Sequence, residues 1–345
     1  MKHTSICCKL LTLTLLLSAL TGCGSKEPEK TEKQIFAMDT VMTLTAYGEA
    51  AGPALDAAAA QINETARLLD PEQEGSLVWT LNHSGGARTE VPALLYHMLD
   101  TAGTVYARSG GALDLSVYPV VRTWGFIDQA YRVPSPDEIA AAMERVDYAA
   151  VTYEQTGDAC FAAVPDGMEI SFGSVTKGAM SDAVVDTLRE NGVTSAVISL
   201  GGNVQTLGLR PDGSDWTVAV QDPHDTGTFL GTIAVGETAV VTSGSYQRYF
   251  EENGMVYHHI IDPATGYPAE SGLLSATVVC PDGAMADCLS TAMFVLGEDG
   301  ALDYWRTWGG FELLLVTTDG RVVLTDGLRD AFTANGDRYT IVFTD

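Results

Sequence analysis

The sequence predicts an α+β domain built from mixed, largely antiparallel sheets with packed helices. Three observations carry this reading. Short segments rich in Thr and Val alternate apolar and polar residues and recur without a helix after every strand, so a regular βαβ series is disfavoured. Residues 311–327, FELLLVTTDGRVVLTDG, read as a hairpin turning at Asp319-Gly320. A few longer segments carry helical spacing instead, such as residues 53–69 with Leu55, Ile62, Ala66 and Leu69 on one face.

The chain opens with Lys2 and Lys9, then an apolar run over residues 10–20 that is too short to span a membrane and remain there. Leu20-Thr21-Gly22-Cys23 follows. A basic start, a short apolar core and small residues before a cut site describe a secretory leader. The cysteine after Leu-Thr-Gly resembles a bacterial lipobox, whose cysteine takes a lipid and becomes the first mature residue; the alternative is an ordinary leader with a chance cysteine. Acyl chains on Cys23 would hold the protein at a membrane surface without crossing it. The expected location is therefore extracytoplasmic, on the bacterial cell membrane. Residues 1–22 are expected to be the leader, 23–34 the lipidated cysteine and a charged flexible tether, and 35–345 one catalytic body.

The formal charge is −26, and −28 once Lys2 and Lys9 leave with the leader. Such a surface repels phosphate backbones and excludes nucleic acid as a partner. After the leader and Cys23, three cysteines remain: Cys160, Cys280 and Cys288. None forms a Cys-x-x-Cys pair, so neither a zinc site nor a redox motif is supported. Buried thiols are the expected state, a Cys280–Cys288 disulfide the alternative.

Along the body, residues 34–47 read as one strand, and 53–69 and 92–107 as helices. Ser135, Pro136 and Glu138 compose a helix start with a capping box. Strands are expected near 149–153, 159–163 and 168–172. Gly173 and Gly178 bracket a loop, and a helix then runs to the Asn191-Gly192 stop. SAVISLGG, residues 195–202, is a buried strand ending in two glycines. Further strands are expected at 204–208, 216–221, 228–235, 238–242 and 255–261, and helices at 284–296 and 300–308.

Several segments carry chemistry. Asp287 and Thr291 lie four apart on a helix, so their oxygens share a face and suit a hard cation such as Mg²⁺, with Ser290 beside them. Taken alone, Asp287 reads instead as an exposed acid favoured by a helix N-terminus. Gly173-Ser174-Val175-Thr176-Lys177-Gly178 precedes a helix, where backbone N–H groups and Lys177 suit a phosphate, although neither a P-loop nor a dinucleotide fingerprint is present. Gly201-Gly202 and Ser243-Gly244 end strands and permit close approach of a ligand. Asp114 sits in an apolar setting ahead of Trp124-Gly125-Phe126, an aromatic pair that alone reads as core. In YHHIIDPATGYP, residues 257–268, His259 stands beside an Asp-Pro turn while His258 points to the other face.

In this order, Met38-Asp39-Thr40, Asp114-Leu115-Ser116, Trp124-Gly125-Phe126, Gly173 to Gly178, Ser199 to Asn203, Thr242-Ser243-Gly244, His259-Ile260-Ile261-Asp262-Pro263-x-Thr265-Gly266 and Ala286-Asp287-x-x-x-Thr291 resemble the FAD:protein FMN transferase (ApbE) family from about Ile35 to the C-terminus. The resemblance implies a T-fold-related α+β architecture with FAD in a cleft between two halves. It also implies Mg²⁺-dependent transfer of FMN from FAD to a Thr or Ser hydroxyl of an exported target protein, with release of AMP. The implied metal ligands are Asp287, Thr291, the backbone carbonyl of Thr176, and Ser290 where some members carry Asp. His259 is the expected base, with Asp287 the second catalytic residue. Met38, Ala112, Leu113, Asp114, Gly173, Ala179 and Ile261 match family positions that touch FAD. Trp124, Lys177, Gly201, Gly202, Ser243, Gly244, His259, Asp262 and Thr265, from the segments above, complete the expected contacts. Departures stand at Ser171, where Asp is common, and at Asp39, where Gly is. Mg²⁺-dependent FAD hydrolysis to FMN and AMP would use the same residues; the third reading is a non-catalytic exported lipoprotein that binds flavin or another solute.

Overall fold

The computed structural model describes residues 28–345, so the leader, Cys23 and the start of the expected tether lie outside the described residues. The body opens with a hairpin of β1 (Lys30–Ala37) and β2 (Thr40–Tyr47), in which Ala37 faces Thr40. Met38 and Asp39 close it with φ of 50° and 57°, the left-handed pair that a two-residue loop needs to match the strand twist. The single strand expected over 34–47 is two, and residues 30–34 of the expected tether are strand. β1 is an edge strand with its charged residues half in solvent, which gives a protected edge the composition of a linker.

Next come α1 (Ala51–Leu69), α2 (Leu77–Asn82), β3 (Thr89–Val91), α3 (Ala93–Ser109), α4 (Tyr118–Thr123) and α5 (Pro136–Met143). The capping box of α5 forms as expected, Ser135 and Glu138 each bonding the other's backbone. β4 (Thr152–Thr156) and β5 (Ala159–Ala163) follow, then α6 (Thr176–Glu190), β6 (Ala196–Leu200), β7 (Asn203–Leu207), β8 (Trp216–Asp222), β9 (Asp225–Val235) and β10 (Ala239–Gly244). β11 (Tyr249–Glu252), β12 (Met255–His258), β13 (Leu273–Cys280), α7 (Gly283–Trp308), β14 (Glu312–Thr317), β15 (Arg321–Thr325), β16 (Phe332–Ala334) and β17 (Thr340–Thr344) complete the chain. The two helices expected at 284–296 and 300–308 are the two arms of α7, which breaks at Gly297 (φ 72°).

Nine strands form the central sheet in the order β1-β2-β6-β7-β10-β13-β14-β15-β17, antiparallel except for the β15–β17 pair. Its β1-β2-β6 end packs on α1 and α6 through Met42, Leu44, Leu55, Ile62, Val184 and Leu188. Its middle packs on α3 and α7 through residues such as Leu99, Ala276, Val278, Leu289 and Met293. The opposite face is covered by the small sheet β16-β9-β8. A separate aromatic cluster, Trp124 and Phe126 with Phe250 and Tyr257, joins the β11–β12 hairpin to α4 and α5. Cys160, Cys280 and Cys288 are buried free thiols.

The strand expected at 168–172 is absent. Ile170 there trades both backbone bonds with the Asn82 side chain, at 3.0 and 2.9 Å. The strand expected at 149–153 begins only at Thr152, after a single turn over Tyr148–Ala150.

α6 and α7 meet at their N-terminal ends. A Cβ on Gly178 would stand 2.0 Å from the Gly283 carbonyl oxygen, and one on Gly283 2.7 Å from that of Gly178. The helices therefore touch backbone to backbone. Gly178→Ala gains about 1 kcal/mol of helix propensity, but must force two backbones apart, and overpacking dominates. A net loss of about 1–3 kcal/mol is expected in urea unfolding; unchanged stability would overturn the close contact.

Candidate active site

One end of the central sheet gathers most of the expected residues. The Met38-Asp39 turn of β1–β2 lies there, and so does the Gly201-Gly202 turn joining β6 to β7. The turns touch: a Cβ on Gly201 would stand 2.6 Å from the Thr40 methyl, so only glycine fits. β10 pairs with β7 at Val240–Val204 and runs on past that turn, carrying Ser243 and Gly244 to the same end.

Ser243 faces α7. Its Oγ lies 2.8 Å from Ser290 Oγ and 3.2 Å from Thr291 Oγ1. One turn earlier on α7, Asp287 is buried and accepts the Gly178 N–H on Oδ2 at 2.9 Å. Its Oδ1 lies 4.0 Å from Lys177 Nζ. The residues picked from two distant motifs thus meet: the glycine loop and first turn of α6 face the carboxylate and hydroxyls of α7. Gly173 is exposed at the mouth of that loop. Thr176 turns its hydroxyl back, donating to the Phe172 carbonyl at 2.7 Å.

Ser290 differs from the expected metal ligand. It is fully buried and donates to the Asp287 carbonyl at 2.9 Å while meeting Ser243. It braces α7 and presents no oxygen outward.

His259 leaves β12 with its N–H on the Arg248 carbonyl at 3.0 Å. Its Nδ1 lies 3.2 Å from that carbonyl, which can only accept, so Nδ1 carries the proton and Nε2 the lone pair. Although part of its surface is open, the ring sits among protein atoms that shed its solvation, and this, aided by the Arg248 cation and less so by His258 and Lys177, lowers its pKa to about 3. The ring is neutral at working pH. His258 takes the other side, as expected: Nε2 lies 3.2 Å from the Ala269 carbonyl and the ring stands edge-on to Phe294.

Several expected contacts turn inward. Trp124 is fully buried, donates Nε1–H to the Gly266 carbonyl at 2.9 Å and packs among Phe250, Tyr257 and Tyr267. It is core, offering no surface to FAD. Asp114 caps the turn over Leu115–Val117 through Ser116 and reaches the Tyr148 N–H, and burial raises its pKa. Leu113, Ala179 and Ile261 are also closed to solvent, and Ala112 nearly so. What residues 112–114 keep near the site is backbone, since Leu115 accepts the Ser171 N–H at 3.1 Å beside Gly173. Asp262 closes its own turn, accepting the Ala264 N–H at 2.9 Å, with exposed Thr265 beside it.

Two residues escaped sequence reasoning. Asp182 on α6 accepts the Gly283 and Ala284 N–H groups of α7, each at 3.0 Å, and Gln205 Nε2–H at 2.7 Å. Burial raises its pKa against those bonds. Gln205, buried in β7, also accepts from Ser181 at 2.7 Å. The available signal was an acid three residues from Ala179 and from Val185 on a buried helix face. A surface cavity of about 470 Å³ lined by Tyr47, Gly48, Gly192 and Arg210 sits at the other end of the sheet and holds none of these residues.

A model of the ApbE family matches residues 38–315. A Treponema pallidum protein named FAD:protein FMN transferase is 28% identical over 361 residues, 99% of each chain. One of the same name from Klebsiella pneumoniae is 31% identical over 277 residues, 80% of this chain and 85% of its own. Among solved structures, the ApbE protein of Thermotoga maritima superposes with a TM-score of 0.81 at 28% identity, over 88% of this chain and 99% of that one. The apo flavinyl transferase ApbE of Pseudomonas stutzeri gives 0.77 at 26% identity, over 90% and 99%.

The His259 shift is testable. Ring NMR signals should show His259 neutral from pH 8 to pH 5, and a midpoint near 6.5 would refute its environment. An unfolded histidine titrates near 6.5 and the folded ring near 3. Between those values only the unfolded chain takes the proton. Stability is therefore full above about 6.5 and falls as pH drops toward 3. His259→Asn should flatten that fall in unfolding curves measured across the range.

Proposed function

Because the chain belongs to the ApbE family, we propose that it transfers FMN from FAD to a Thr or Ser hydroxyl of a target protein, with Mg²⁺ as cofactor and AMP as the second product. It is a transferase enzyme, and FAD is its substrate. The observation that carries the finer reading is the junction of Lys177, the Gly178 N–H, Asp287 and the Ser243–Thr291 hydroxyls at the first turn of α6. A helix N-terminus with a lysine suits a pyrophosphate. A buried carboxylate beside hydroxyl oxygens is a donor set for a hard cation.

The fit to Mg²⁺ has a definite form. Among the described residues, no cluster of three His, Cys, Asp or Glu could enclose a metal. One carboxylate with hydroxyl and carbonyl oxygens matches an ion that completes its shell with water and substrate phosphates. Asp287, Thr291 and the Thr176 carbonyl would hold it. When bound, it neutralises charge on the oxygens of the transferred and leaving groups. The chain's own residues do the rest. Lys177 holds the pyrophosphate. The acceptor hydroxyl oxygen forms a bond to the phosphorus of the FMN half, and the bond from that phosphorus to the bridging oxygen breaks, its electron pair leaving with AMP. His259 Nε2 takes the hydroxyl proton.

By this reading the lipobox-like Cys23 tethers the enzyme outside the cell membrane, and its targets are exported redox proteins.

Incubation with FAD, Mg²⁺ and a candidate acceptor, followed by mass spectrometry, should show covalent flavin on a Thr or Ser. FMN and AMP without it would establish hydrolysis, and tight FAD binding without turnover a binding protein. Asp287→Ala should abolish Mg²⁺-dependent turnover, and unchanged activity would refute the metal assignment. His259→Ala should slow transfer by about 10²–10⁴-fold. Cys23→Ala should shift the protein from the membrane to the soluble fraction of cells; if it stays with the membrane, the anchor is elsewhere.

A further inference from the structure

We propose that Asp182 is the positioning residue for Asp287, and that the two form a reciprocal clasp in which each helix binds the N-terminal amides of the other. This rests on the reading above for its bearing on transfer, although the clasp itself does not. Asp182 stands on α6 and takes the first two N–H groups of α7, those of Gly283 and Ala284, at 3.0 Å each. Asp287 stands on α7 and takes the Gly178 N–H, in the first turn of α6, at 2.9 Å. First-turn amides have no partner within their own helix, so each bond fills a need that the helix cannot meet alone. Asp282 meets the third amide of α7, that of Met285, at 2.8 Å, but it binds only its own helix.

The consequence is geometric. Asp287 reaches the Lys177 side chain and the Gly178 amide only if α7 keeps its height against α6. The backbone contact at Gly178 and Gly283 sets the separation of the helices, but a contact between two smooth backbones does not stop sliding. Directional bonds do, and Asp182 supplies two of them, backed by Gln205 at 2.7 Å. Asp182 touches neither reacting atoms nor the expected metal position. It acts through Asp287, as outer-shell carboxylates commonly do, where loss costs about 10–100-fold in metal affinity or activity.

The test uses the full chain with Mn²⁺ as a spectroscopic stand-in for Mg²⁺, compared across Asp182→Ala, Asp182→Asn and Asp282→Ala. Asp182→Ala should weaken Mn²⁺ binding by about 10–100-fold and speed hydrogen exchange at the Gly178 amide, a group it does not touch. Asp182→Asn keeps the volume and one acceptor oxygen and should restore part of both. Asp282→Ala, which removes a cap of the same helix without a bond to α6, should leave both near their starting values. The clasp is overturned if folded Asp182→Ala matches the unaltered chain in both readouts, or if Asp282→Ala impairs them equally. Should Asp182→Ala fail to fold, Asp182→Asn decides, a Gly178 exchange rate equal to that of the unaltered chain overturning the proposal. The exchange measurement needs neither metal nor FAD, so it stands if Mn²⁺ does not bind or no transfer occurs, outcomes that would sink the functional reading instead.

Discussion

Everything at the site depends on two helices meeting at their N-terminal ends without a side chain between them. Gly178 and Gly283 permit that approach, and any Cβ at either position would meet a carbonyl oxygen well inside contact distance. The same approach brings two positive helix ends to one place. It also puts the Asp287 carboxylate, carried by one helix, against an amide of the other. A lysine and a buried acid that stand more than a hundred residues apart in the chain are then neighbours, with the half-buried hydroxyls of Ser243 and Thr291 beside the acid.

The sheet determines where this junction opens. Strand ends alternate direction in an antiparallel sheet, so hairpin turns from one end collect on one edge of the molecule. The turns at Met38-Asp39 and Gly201-Gly202 and the extension of β10 through Ser243 are of this kind. The β11–β12 hairpin is a separate unit, held by the aromatic cluster around Trp124, and delivers His259 from a different direction. His259 and Asp287 thus stand on separate supports, and each lies close enough to Lys177 to feel its charge.

Much of this was legible in the sequence, and the failures have physical causes. Asp287, Thr291 and Lys177 were readable because helical spacing and a glycine loop before a helix are local signals, and the structure brings them together. His258 and His259 do take different sides, although the strand expected over 255–261 ends at His258 and His259 lies in the bend after it. Trp124 lies in the core and the Asp114 side chain is spent on a cap because a motif records that a residue is needed without saying whether it touches ligand or holds the fold. Trp124 anchors the Gly266 turn, and Asp114 caps one. Asp182 and Gln205 were missed because their partners lie on other elements, and no local pattern announces a long-range hydrogen bond. The β1–β2 turn was missed because Met-Asp lacks the glycine that usually marks such a loop, so its left-handed pair of residues has no signature.

β1 starts at Lys30, opposite Tyr47, and ends at the turn that borders the site. Eight residues of strand span about 25 Å, so whatever precedes Lys30 departs from the pole of the domain remote from Asp287 and His259. An attachment point at that pole leaves the edge bordered by the Met38-Asp39 turn uncovered by β1 itself.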